Sequence, residues 1–181
     1  TATVNIQLVR LEAKVYDDTI LTRNSGQIDD GAATASNVAP VIIKTLDEHN
    51  APFLTADKNA SGMNADDEDD IECRFVGGPV EDAKLEGNAP TTPFTLGLQS
   101  NRAYARYIEG SAGMYVINVV GGANGGTLEV ECRDIDSIGQ PSVRVSVTVR
   151  EPTIEMFVSS DHVGPNGQST IMARVLDGDK P

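Results

Sequence analysis

The chain has 181 residues, enough for one complete domain with a sizeable core and a remainder. It carries 27 acidic against 14 basic residues, a net charge of −13 that disfavours binding to a phosphate backbone, and no stretch approaches the ~20 apolar residues that span a bilayer as a helix. With no Trp and only four each of Phe and Tyr, the core must be built from Val, Ile, Leu and Ala, which suits thin β-sandwich layers and leaves few aromatic platforms for bases or sugars.

In chain order, residues 4–15 read as extended but shift phase. Val4, Ile6 and Leu8 are apolar at even positions; Val9, Leu11, Ala13 and Val15 then take over at odd ones, opposite Arg10, Glu12 and Lys14. Such a flip predicts a bulge or a strand that changes sheets. Residues 17–39, rich in Asp, Asn, Ser, Gly, Thr and Ala, read as a long surface loop. Pro40 to Leu46 is a buried strand, closed by an Asp47–Pro52 turn. A polar excursion from Ala56 ends in the acidic run Asn64–Asp70, and Ile71–Val76 is a strand closed by Gly77-Gly78-Pro79.

Pro93–Leu98 reads as a further strand, and Ala103–Glu109 as a short helix or helical turn. Gly113–Val120 is a strong strand, Gly121–Gly126 a hairpin loop, and Thr127–Ile135 its partner. In the run from Ser142 to Arg150, Val143, Val145, Val147 and Val149 alternate with polar residues, as in a strand with one face buried. Glu151-Pro152 breaks that run, since proline cannot donate to a ladder. Eight or nine strands joined by turns over about 150 residues predict an all-β sandwich. Tyr115 takes the place of the tyrosine that starts a late strand in immunoglobulin-like folds and bonds back to the chain; an ordinary strand tyrosine is the equal alternative.

The two cysteines lie on the apolar sides of their strands. Cys73 shares a face with Ile71 and Phe75, and Cys132 with Leu128 and Val130. The expectation is a Cys73–Cys132 disulfide and an oxidising compartment, against the alternative of two buried thiols that never meet. One pair without a CxxC excludes an ordinary zinc site.

In the acidic run, Asp66, Asp67, Asp69 and Asp70 could supply three or four of the oxygens that Ca²⁺ takes, though without EF-hand spacing; a solvated charge run is the competing reading. No other cofactor is implied. His49 and His162 have no nucleophile at motif spacing, and G-x-S-x-G, H-E-x-x-H, P-loop and dinucleotide-binding patterns are absent from the sequence. The Gly-rich 121–126 loop precedes a strand and so offers no helix N-terminus to a phosphate. The expectation is a protein that is not an enzyme. Asn59-Ala-Ser61 matches a glycosylation sequon.

After the break, Thr153–Pro181 reads as a strand, a Gly164-Pro165-Asn166-Gly167 turn, a second strand and an Asp177-Gly178-Asp179-Lys180-Pro181 loop. This resembles the opening of a bacterial immunoglobulin-like surface module of the invasin/intimin type. Asp47-Glu48-His49-Asn50-Ala51-Pro52 is similar to the loop after the second strand of such modules. The resemblance implies an immunoglobulin-like β-sandwich at 1–150, followed at 151–181 by the first strands of a second module or by strands donated to a neighbour. It implies a structural or adhesive role at a cell surface or outside the cell, as a stalk or a binding surface, and it raises the case for Ca²⁺ at loops. Neighbouring modules or like subunits, and a host or surface ligand, are the partners it implies; nucleic acid is not among them. The alternatives are a filament subunit held by strand exchange, and a carbohydrate-binding accessory module, which the missing Trp weakens and for which Tyr104 and Tyr107 are the only close aromatic pair. Without an initiator Met or a signal peptide, the chain reads as a mature form or an excised piece.

Overall fold

The computed structural model describes residues 10–22, 37–52, 71–88, 96–99, 101–135, 137, 139–151, 153–159 and 162–176. Among them lie thirteen strands and no α-helix. They are β1 (Arg10–Val15), β2 (Thr19–Leu21), β3 (Val38–Leu46), β4 (Ile71–Gly77), β5 (Lys84–Asn88), β6 (Leu96–Gln99), β7 (Arg102–Tyr104), β8 (Arg106–Tyr107), β9 (Met114–Val120), β10 (Gly126–Asp134), β11 (Ser142–Arg150), β12 (Thr153–Val158) and β13 (Ile171–Leu176).

Eleven of these form one curled sheet in the order β1-β3-β9-β5-β7-β4-β10-β11-β2, with β6 on β5 and β8 on β9. The pairings are antiparallel except β11 with β2, which is parallel. The curl brings the two halves face to face, an all-β sandwich around one core. Val41, Ile43, Leu85, Tyr115, Ile117 and Val119 fill it from one half, and Ile20, Ile71, Leu128, Val130, Val147 and Val149 from the other. The period-two patterning explains this: in β11 each valine turns toward the core side while Ser142, Arg144, Ser146 and Arg150 stay exposed.

Three expectations change. The phase flip at residues 8–9 lies outside the described residues; within them, the chain leaves β3 and joins β11 as β2 across Tyr16–Asp18. The 17–39 loop therefore contains a strand, Thr19–Leu21, with Ile20 buried, and β3 begins at Val38. Of Ala103–Glu109, residues 103–107 are extended, with β7 on β4 and β8 on β9, and Glu109 lies in a turn. The alternation of this segment is carried by small Ala103 and Ala105, fully buried under the curl, which is why it lacks a β-branched signature.

The third change concerns Gly121–Gly126. β9 pairs with β3, β5 and β8, whereas β10 pairs with β4 and β11, so this loop is a crossover between the halves and not a hairpin. The glycines are needed for close passage. A Cβ on Gly121 would sit 2.6 Å from the Leu21 carbonyl oxygen, and one on Gly122 would sit 2.3 Å from that of Glu81. β5, missed in the sequence, lies on the other side of this passage. Its Glu86 and Gly87 dilute the apolar pattern, and Gly87 lies where a Cβ would press on the Tyr104 carbonyl at 2.4 Å.

Candidate functional site: a charged face and an open apolar ribbon

The Asp47–Pro52 turn is built by its first residue. The Asp47 carboxylate accepts from the backbone N–H groups of His49 (2.8 Å) and Ala51 (2.9 Å), and Asn50 adopts the left-handed region at φ 63°. His49 is exposed, with Glu48 at 3.8 Å, and His162 is exposed in the β12–β13 connection. Asp66, Asp67, Asp69 and Asp70 lie outside the described residues. Among the described residues no cluster of three His, Cys, Asp or Glu side chains could hold a metal, and no helix is long and apolar enough to cross a membrane. Tyr115 is fully buried and meets the ring of Tyr107 edge-on at 5.5 Å. The Tyr107 hydroxyl donates to the backbone carbonyl of Ser111.

Cys73 and Cys132 are joined in a disulfide. They stand directly opposite each other on the neighbouring strands β4 and β10, with Cα atoms 4.1 Å apart and both side chains buried. The bridge thus staples one half of the sandwich to itself.

Above the bridge, on the outer face of that half, two cross-strand rows carry charge. One runs Arg102 (β7), Arg74 (β4), Glu131 (β10), Arg144 (β11); the other runs Tyr104, Glu72, Arg133, Ser142. Glu131 takes Arg74 on one oxygen (2.7 Å) and Arg144 on the other (3.0 Å). Glu72 takes Arg102 on one (2.9 Å) and Arg133 on the other (3.3 Å). The glutamate side chains are 10–11% exposed, whereas Arg74 and Arg102 remain 48% and 47% exposed. Hydrogen bonds from Arg74 first, and then from Arg144, hold the Glu131 carboxyl below the usual carboxylate range against the opposing effect of burial. The Tyr104 hydroxyl, bonded to Arg102 at 3.1 Å, and then Glu72, hold the Arg102 guanidinium above its ordinary value.

The second surface is the separate sheet β12–β13. The Gly164–Gly167 turn has Pro165 followed by Asn166 at φ 66°, closed by Gly167 N–H to Gly164 O at 2.8 Å. The register sets Met156 opposite Ala173 and Val158 opposite Ile171, and alternation adds Ile154 to the same side. One face is therefore wholly apolar and open: Ile154, Met156 and Ile171 are 67%, 71% and 68% exposed. The other is half polar, with the Glu155–Arg174 ion pair at 2.7 Å and the Arg174 guanidinium 5.3 Å from the Phe157 ring centroid.

No known family model matches the chain, and no curated protein matches it. Among solved structures it is similar to the Escherichia coli adhesin FdeC, at 12% identity over 96% of this chain and 42% of that one, with a TM-score of 0.47. It is also similar to a glycosyl hydrolase family 2 member from Bacteroides cellulosilyticus, at 12% identity over 78% of this chain and 14% of that one, with a TM-score of 0.42. The chain spans less than half the length of either structure. Likeness this distant says nothing of activity or ligand.

Proposed function

We propose that the chain is a non-catalytic structural or adhesive part of a cell-surface or secreted protein, a stalk in which residues 1–150 form one β-sandwich and 151–181 open the next. The open apolar face of β12–β13 carries this reading. A two-stranded ribbon is at best marginally stable alone in water, and its apolar side calls for a second β-layer to cover it. Only residues 151 and 152 separate β11 from β12, too few for an independent linker and suited to a serial array. The Cys73–Cys132 bridge supports an oxidising compartment.

The same ribbon supports a second reading, a filament subunit whose ribbon is covered by a neighbour. Light scattering on the full chain and on a version ending at Arg150 separates the two. Two monomers, with the shorter one keeping its melting temperature, support the stalk. Assembly of the full chain alone supports the filament. Loss of folding in the shorter chain refutes the division at 150.

A further inference from the structure

We infer that the outer face of β7–β4–β10–β11 is a docking surface for an acidic polypeptide, independent of the ribbon and of the stalk reading. Two buried glutamates could be neutralised by two arginines, as in an ordinary cross-strand ladder. This face sets four against them, so its two rows carry a surplus of two positive charges; Glu129 marks their edge in the next row. The rest of the chain holds 10 basic and 25 acidic residues, a balance of −15, so the sign of this patch is opposite to that of its surroundings.

The placement of the surplus points to a ligand. Arg74 and Arg102 are direct cross-strand partners. Like charges in that position destabilise a sheet, and neither glutamate lies between them: Arg74 is tied to Glu131 and Arg102 to Glu72. Arg74 gives Nε and Nη2 to Glu131, and Arg102 gives Nε to Glu72 and Nη2 to the Tyr104 hydroxyl, so the Nη1 donors of both are left unused by these partners. A carboxylate seated between the two arginines would relieve their repulsion and meet planar forks already oriented for it.

All four cations are arginine and none is lysine, which favours planar oxyanions over diffuse charge attraction. The two rows span four strands, about 15 Å at ~4.8 Å per strand, wider than one small anion needs. Tyr104, the aromatic residue in these rows, is buried, so the face offers sugar rings no stacking platform. An acidic polypeptide fits better than an anionic glycan.

The test is calorimetric titration of the full chain with poly-L-glutamate at low salt, and again near ~1 M, where the screening length falls to about 3 Å. Wild type should bind at low salt and lose binding at high salt. R74Q/R102Q, which leaves each glutamate one arginine partner, should bind about tenfold more weakly. R74K/R102K should also weaken binding, since charge is kept but the fork is lost. R10Q/K44Q, with the same net charge change on β1 and β3, should bind as wild type does. Three results overturn the inference: no binding by wild type, equal loss in R10Q/K44Q, or binding of dextran sulfate in place of poly-L-glutamate. Salt-sensitive self-association lost in R74Q/R102Q would assign the face to a contact between copies, and so also overturn a separate partner.

Discussion

Replacing both bridged cysteines with alanine tests how this sandwich is held. The bridge closes a sequence separation of 59 residues. Constraining a loop of that size in the unfolded chain stabilises the fold by about 4 kcal/mol in the loop-entropy model. Cys73 and Cys132 are already opposed in the β4–β10 register, so native pairing persists without the bond and the effect falls mainly on the unfolded state. At about 2–4 °C per kcal/mol for a domain of this size, C73A/C132A should melt roughly 8–16 °C lower. Urea unfolding followed by tyrosine fluorescence gives the free energy, and the m-value should rise as the unfolded chain becomes less compact. Both sulfurs are buried, so reductant without denaturant should act only as fast as the strands open. A loss below about 1 kcal/mol with an unchanged m-value would refute the loop-entropy account.

Three further outcomes follow from the geometry. G122A should cost about 1–3 kcal/mol in urea unfolding, because its Cβ would collide with the Glu81 carbonyl at 2.3 Å and the crossover backbone must shift; a neutral result would mean the passage is loose. Glu131 has a folded-state pKa below its ordinary value of 4.5, so its stabilising contribution is full above that value and is lost as the pH falls through the lowered one. The urea midpoint of wild type should therefore drop more steeply than that of E131Q below about pH 4.5, and parallel curves would contradict the assignment. D47A removes the acceptor of two backbone N–H groups and should destabilise by about 1–2 kcal/mol, with the loss localised by faster hydrogen exchange at His49 and Ala51.

Much of this molecule was legible along the chain. The alternation in β11, the shared faces of Ile71 with Cys73 and of Val130 with Cys132, and the Pro165-Asn166 turn are local patterns, and a strand's two-residue period fixes which side each residue faces without knowledge of its neighbours. The strands that went unread, β2, β5, β7 and β8, are short or diluted by Gly, Ala and charged residues, and pairing with distant segments makes them strands. Of the predicted sites, the acidic run lies outside the described residues, while the charged face was not recognised, because its members come from four strands separated by loops.

What the sequence determined alone was the class: a Trp-free, Val- and Ile-rich chain with period-two patterning buries its apolar side in sheets. Pairing was decided by the tertiary structure. Whether Gly121–Gly126 turns back as a hairpin or crosses to the other half depends on where Leu21 and Glu81 lie, and no local pattern encodes that. Register then did the rest. It set Arg74 beside Arg102, Cys73 opposite Cys132, and Met156 opposite Ala173, turning scattered residues into a charged face, a bridge and an open apolar side. A shift of one residue would turn each of these side chains to the other face, so the surfaces follow from long-range hydrogen bonding rather than from composition.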